Sequence, residues 1–395
     1  MSHRLLRTVA FLSLGILGLT TVLTAAQEID WNKAKQLRQR MLQGEKLSQE
    51  ERTYLERARQ ALQAGAKPPP FQPINPPVSL RPLTDMTASD RYKGQDGGLY
   101  GGGSNQPPKQ HLQAAVQQAK LIRPLDERGK PSEDGKVGFV SIGMSNTTQE
   151  FSVFVRLANA DPAKSPKVVI VDGAQGGMDA RAWAEPEKPN RPGARNPWEV
   201  LDERLQRMGI ADSQVQVVWL KQARITPGMI GEFPKHAEEM KGRIVTILHR
   251  LKEKFPNLRI AYLSSRIYGG YAKTPLNPEP YAYESAFTVR WLIRDQIKSD
   301  PSLNYDPDTG PVKSPLLLWG PYLWADGEKG RKQDDLVWKP EDLAGDGTHP
   351  SDSGRRKMAE LLLHFVKSDP TAKIWFCRAT TGQSAIAVPG KGNDN

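Results

Sequence analysis

From Val137 onward, short β-rich apolar runs alternate with amphipathic helical stretches, and few folds accept that alternation. The runs are Val137 to Ile142, Lys167 to Val171, Gln214 to Leu220, Arg259 to Leu263 and Leu316 to Trp319. Helical spacing of apolar residues predicts helices over about 148–159, 197–208, 235–254, 281–297 and 352–367. Strands with helices between them form a parallel sheet covered on both faces, so the fold expected is α/β, with about five parallel strands. Right-handed crossovers bring all C-terminal strand ends to one edge, where ligands bind in such sheets.

What precedes that region has a different texture. Arg4 and Arg7, an apolar run from Val9 to Leu23 and the small residues Thr24-Ala25-Ala26 read as a secretory signal over residues 1–26. The run is short for a membrane span, so no stable membrane insertion is expected after cleavage, and the destination is secreted or periplasmic. Residues 27–65 read as a helical hairpin. Gly44 breaks it, and Ser48-x-x-Glu51 opens the second helix as a capping box. A Pro/Gly-rich linker follows over 66–108, with seven prolines between Pro68 and Pro82 and a glycine-rich stretch from Gly94 to Gly103. That stretch lacks the Lys-Ser/Thr of a phosphate-binding loop. It is either an irregular surface loop or a rim segment of the active site. His111 reads as a surface residue at the start of a short helix. The main domain is expected over 109–378, with a disordered tail over 379–395.

The formal net charge of +11 is spread along the chain rather than clustered, which argues against nucleic acid and fits an acidic polysaccharide or envelope surface. The single cysteine, Cys377, allows no internal disulfide. With no His-Glu-x-x-His and no gathering of Cys and His, neither a metal nor another cofactor is expected.

The strand ends carry the chemistry. After the first strand comes Gly143-Met144-Ser145-Asn146, with Ser145 just ahead of a helix and Thr147-x-x-Glu150 reading as its capping box. After the second comes Asp172-Gly173-Ala174-Gln175-Gly176-Gly177, where glycine lets a backbone N–H approach a ligand. The third ends at Lys221-Gln222-Ala223, placing the Gln222 amide at the same edge. The fourth ends at Ser264-Ser265-Arg266, whose serines are rival nucleophiles without a glycine turn to present them. Beyond the fifth lies Asp346-Gly347-Thr348-His349, a carboxylate and an imidazole three residues apart. Such a pair can hold one ring nitrogen as N–H and leave the other free to take a serine proton.

In that order these blocks resemble the SGNH (GDSL-like) hydrolase superfamily over roughly residues 137–367. The resemblance implies a three-layer α/β/α, flavodoxin-like fold and a Ser-His-Asp esterase. It assigns Ser145, Asp346 and His349 as catalytic, and the N–H groups of Ser145 and Gly177 as oxyanion donors. The usual Gly-x-Asn-Asp block is absent, so Gln222 would replace its Asn. The usual Asp before the serine is Met144. The substrate expected is an acylated carbohydrate, most simply an O-acetylated polysaccharide. Loop aromatics for stacking on sugars would come from Trp183, Trp198, Tyr268, Tyr271, Tyr281, Tyr283, Tyr322 and Trp324, although Trp and Tyr at these spacings more often serve core or loop packing. The insert from Asp179 to Pro197 reads as a substrate wall or a solvated loop. An acyltransferase with the same triad and a non-catalytic carbohydrate- or envelope-binding protein stay open as alternatives.

Overall fold

A computed structural model describes residues 29–42, 46–66, 80–189 and 193–378. The expected signal segment, most of the proline run and the tail lie outside these residues. The chain divides into two compact units, Met1–Pro69 and Pro70–Asn395.

The first unit is a helical hairpin. Helix α1 runs Trp31–Leu42 and α2 runs Gln49–Gln63. Ser48 accepts from the Glu51 N–H while Glu51 reaches back to the Ser48 N–H, so the capping box is formed. Arg40 donates to Glu51 across the pair, and Ala34, Leu37 and Ala58 are buried.

The second unit is a five-stranded, wholly parallel sheet: β1 Val137–Gly143, β2 Val168–Asp172, β3 Val215–Lys221, β4 Ile260–Leu263 and β5 Leu316–Trp319. Its strand order is β2-β1-β3-β4-β5, the flavodoxin-like winding, so both neighbours of β1 leave from the edge where Ser145 begins a helix. The helices are α3 Lys109–Leu121, α4 Ser145–Ala160, α5 Ala180–Ala184, α6 Pro197–Arg207, α7 Lys235–Lys254, α8 Tyr281–Ile297, α9 Asp352–Ser368 and α10 Lys373–Phe376.

Alternation along the strands sorts them into two layers. Val137 and Phe139 of β1 join Phe151, Phe154, Met358 and Trp375, so α3, α4, α9 and α10 cover one face. Val140 and Ile142 join Leu201, Leu248, Phe287 and Leu292, so α5 to α8 cover the other. With both faces covered, nearly every strand residue is buried, which is why the strands read as continuous apolar runs.

Two expectations about the flank fail for tertiary reasons. Residues 80–108 are no free linker. Leu80, Leu83, Met86 and Leu99 enter the core beside α8, and the buried Arg290 donates to the Asp96 and Gly98 carbonyls. His111 is not a surface residue; it is buried where α3 meets β5, its Nε2 2.8 Å from the Leu317 carbonyl. Burial holds its imidazole below the ordinary range, against the pull of that carbonyl.

Candidate active site

Helix α4 begins three residues earlier than its sequence suggests. Met144 is extended (φ −96°, ψ −162°) and Ser145 is the first helical residue. The Thr147-x-x-Glu150 pattern is therefore not a cap. The Thr147 hydroxyl donates to the Lys221 carbonyl of β3 at 2.8 Å, and Glu150 turns inward to Lys221. Both bonds tie the first turns of α4 to the end of β3.

Asp346 and His349 sit in a loop closed on itself by Ala344 N–H to His349 carbonyl, 2.7 Å, and Gly347 N–H to Ala344 carbonyl, 2.8 Å. The left-handed Gly347 (φ +68°) is required here, since a Cβ at that position would lie 1.8 Å from the Tyr271 carbonyl oxygen. The Lys273 N–H binds the Asp346 carbonyl at 2.9 Å, so the 268–277 segment forms a wall against this loop.

The two pieces meet. Ser145 Oγ lies 2.8 Å from His349 Nε2, and His349 Nδ1 lies 2.6 Å from Asp346 Oδ2. The other Asp346 oxygen accepts the N–H groups of Thr348 and His349, each at 3.0 Å. Partial burial by itself would raise the Asp346 carboxyl; the hydrogen bonds from His349 and Thr348 outweigh it and hold the group below the usual carboxylate range. The pair stays open to ligands, with the His349 side chain 24% and the Asp346 side chain 34% exposed.

One residue in this arrangement was not singled out from sequence. Asn146 is buried and donates from Nδ2 to the Thr348 carbonyl at 3.0 Å, pinning the turn that carries Ser145 to the loop that carries Asp346 and His349. Its only sequence signal is adjacency to Ser145.

The oxyanion candidates lie around the same strand ends. The loop after β2 is anchored over β1 by the Gln175 N–H on the Gly143 carbonyl, 3.1 Å. Within it Gly177 is exposed and left-handed (φ +77°), with open space where a side chain would stand. Gln222 directly follows β3, whose Lys221 is in register with Gly143. Its side chain is buried, and neither amide atom has a hydrogen-bond partner. Of the rival serines, Ser264 Oγ donates to the Pro321 carbonyl and accepts from Trp219 Nε1, while Ser265 is buried without a partner. Neither bonds to a histidine among the described residues.

Most of the expected sugar-stacking aromatics belong to the core: Trp183, Trp198, Tyr283, Tyr322 and Trp324 are buried. Tyr268 and Tyr271 remain half-buried on the wall beside the Asp346 loop, edge to face at 5.1 Å, and Tyr281 is half-buried at the start of α8. Of the Asp179 to Pro197 insert, Asp179 through Ala184 fold inward, with Asp179 paired to the buried Arg224. This part is not a solvated loop.

The wall is held by Glu279. Its carboxylate accepts the Gly269 N–H and Trp324 Nε1 on one oxygen and the Tyr283 N–H on the other. Burial outweighs these donors and pushes the group up to about 7. A folded-state value above the unfolded carboxylate's 4.5 contributes stability that is fully present below 4.5 and is lost as the pH rises through 7. The difference corresponds to roughly 3 kcal/mol. Thermal melting at pH 5 and pH 8 should show the parent losing more stability than Glu279→Gln across that window; parallel curves would refute it.

No family model matches the chain, and no curated protein matches it. Among solved structures, a Bacteroides fragilis protein provisionally named an acylhydrolase is similar to it, at 11% identity and a TM-score of 0.34. That similarity covers 68% of this chain and 100% of the other.

Proposed function

We propose that this protein is a serine hydrolase of acyl esters, acting on O-acyl groups of a carbohydrate, with a Ser-His-Asp mechanism of the SGNH type. The observation that carries the reading is the continuous chain Ser145 Oγ, His349 Nε2, His349 Nδ1, Asp346 Oδ2, at 2.8 and 2.6 Å. These are the contacts a general base needs to take the serine proton while a carboxylate fixes its tautomer.

In this mechanism Ser145 Oγ attacks the ester carbonyl as its proton passes to His349 Nε2. The carbonyl electron pair moves onto oxygen. The Ser145 N–H at the start of α4 and the Gly177 N–H receive that charge, with the Gln222 amide as side-chain donor. Collapse expels the alcohol, which takes the proton from His349. Water then resolves the acyl-enzyme by the reverse roles.

A carbohydrate substrate is supported by the half-buried Tyr268 and Tyr271 beside the catalytic loop and by the positive net charge. The leader-like residues 1–26 support action outside the cytoplasm. The test is release of acetate from O-acetylated polysaccharides, beside hydrolysis of a chromogenic acetyl ester. Acetate released in step with deacetylated polymer supports the esterase. Acetyl groups appearing on an added sugar acceptor instead of in water would favour the acyltransferase. Polymer binding without turnover in either assay would replace both with a binding protein.

A further inference from the structure

We propose that Arg266 is a catalytic residue: its guanidinium donates to the oxygen of the ester carbonyl as that oxygen takes on charge. The inference rests on the serine-hydrolase reading above and adds a donor to it.

Arg266 lies three residues past the end of β4, and its N–H is fixed by the Ser285 hydroxyl at 3.0 Å. The residue is 4% exposed. A buried guanidinium normally has a carboxylate or carbonyl on its donors, because a charge taken out of water without a partner is costly. Here Nε has no partner, and no ion pair reaches the guanidinium among the described residues.

The reason is visible in the acids around it. Glu150, Glu279 and Asp346 all act on Arg266 electrostatically, yet each is already committed. Lys221 occupies both oxygens of Glu150. Glu279 is filled by Gly269, Tyr283 and Trp324, and Asp346 by His349 and Thr348. Burial holds the guanidinium below the ordinary arginine range, against the pull of these three acids, and none of them accepts from its Nε.

Position supplies the acceptor. Glu150 stands on α4, which starts with Ser145, and Asp346 stands on the loop that carries His349. Arg266 is therefore flanked by the two elements that the Ser145–His349 bond joins. Charge then separates two possible occupants. A permanently anionic substituent would sit beside the carboxylates of Glu150 and Asp346 and the Glu279 carboxyl. An oxyanion forms only as His349 gains the serine proton, so the net charge of the site does not change. During that step the Ser145 Oγ–carbon bond forms, the carbonyl pair moves to oxygen, and Arg266 donates a hydrogen bond without giving up its proton.

Gln222 and Ser265, on the neighbouring strand ends, have side-chain polar atoms that are enclosed and unpartnered. A planar cation with five N–H donors is stronger than either.

The experiment compares Arg266→Met and Arg266→Lys with the parent in kcat, KM and the pH profile of acetyl-ester hydrolysis. It also measures inhibition by phenylboronic acid, whose tetrahedral adduct on serine places an oxygen where the oxyanion forms. Arg266→Met is expected to lose about 10²–10³ in kcat, with KM nearly unchanged. Boronate affinity should fall with it, and Arg266→Lys should recover part of the loss. The acid limb of kcat/KM should stay in place. Turnover by Arg266→Met close to that of the parent would overturn the assignment alone. So would a loss that disappears at high pH with a displaced acid limb, because Arg266 would then act through Asp346 and His349. If Arg266→Met does not fold, the charge-retaining Lys variant decides: parental kcat and boronate affinity in it overturn the donor role, and a joint fall in both supports it. A parent that neither hydrolyses the ester nor binds the boronate would overturn the hydrolase reading and this one together.

Discussion

Ser145→Ala and His349→Ala should each reduce kcat on an acetyl ester by about 10⁶, and the double variant should be no slower than either. Losses do not add because the two residues perform one act. Without Oγ there is nothing for Nε2 to deprotonate, and without Nε2 the hydroxyl 2.8 Å away keeps its proton. Asp346→Asn is the subtler case. The asparagine oxygen can still accept the Thr348 and His349 N–H groups that Asp346 Oδ1 accepts now, so the loop stays closed. An amide NH₂ facing Nδ1 selects the tautomer with the proton on Nε2, which cannot take another from Ser145. The expected loss is about 10⁴ in kcat. Steady-state and single-turnover hydrolysis of p-nitrophenyl acetate measure all four proteins. Losses that multiply in the double variant, or an Asp346→Asn variant as fast as its parent, would mean that these residues do not act as one unit.

The sheet was legible because its strands are covered on both faces. Burial at nearly every position makes each one a short apolar run with its ends marked by polar or glycine residues, and the predicted β1, β3, β4 and β5 fall within one residue of the structure. The meeting of Ser145, His349 and Asp346 was legible for a related reason. In a parallel α/β sheet all strand C-termini share an edge, so chemistry-bearing residues just past strands one and five are brought near each other although 204 residues separate Ser145 from His349.

What escaped the sequence was decided by tertiary partners. Thr147 and Glu150 have the spacing of a cap, and a local rule could not show that Lys221, 71 residues beyond Glu150, would claim its side chain. His111 carries no mark of the Leu317 carbonyl that fixes it. The aromatics between Trp183 and Trp324 have no periodicity that separates a core residue from a cleft residue, and most proved to be core. Arg266 reads as one more charged residue after a strand. Its interest comes from acids on three distant segments being occupied by other donors.

Lys221→Met should be the most destabilising single change near the site. Lys221 is the last residue of β3, and its ammonium meets both oxygens of Glu150 with each side chain 1% exposed. Burial pushes the lysine down to about 8 even with the opposing pull of Glu150. Removing the ammonium leaves a carboxylate enclosed in the layer between α4 and the sheet, with Arg266 its remaining cation nearby. Breaking a buried pair in this way costs about 3–5 kcal/mol. Replacing both partners, as Lys221→Met with Glu150→Leu, removes the stranded charge and fills the space with apolar atoms, so most of the loss should return. Urea unfolding of the parent, the single and the double variant measures this directly. A single variant within about 1 kcal/mol of the parent, or a double no better than the single, would refute the account. Catalysis follows the same order for a geometric reason. Glu150 and the Thr147–Lys221 bond are what hold the first turns of α4 against β3, and those turns aim Ser145 at His349. The single variant should therefore lose turnover beyond its unfolded fraction, and the double should regain stability more completely than rate.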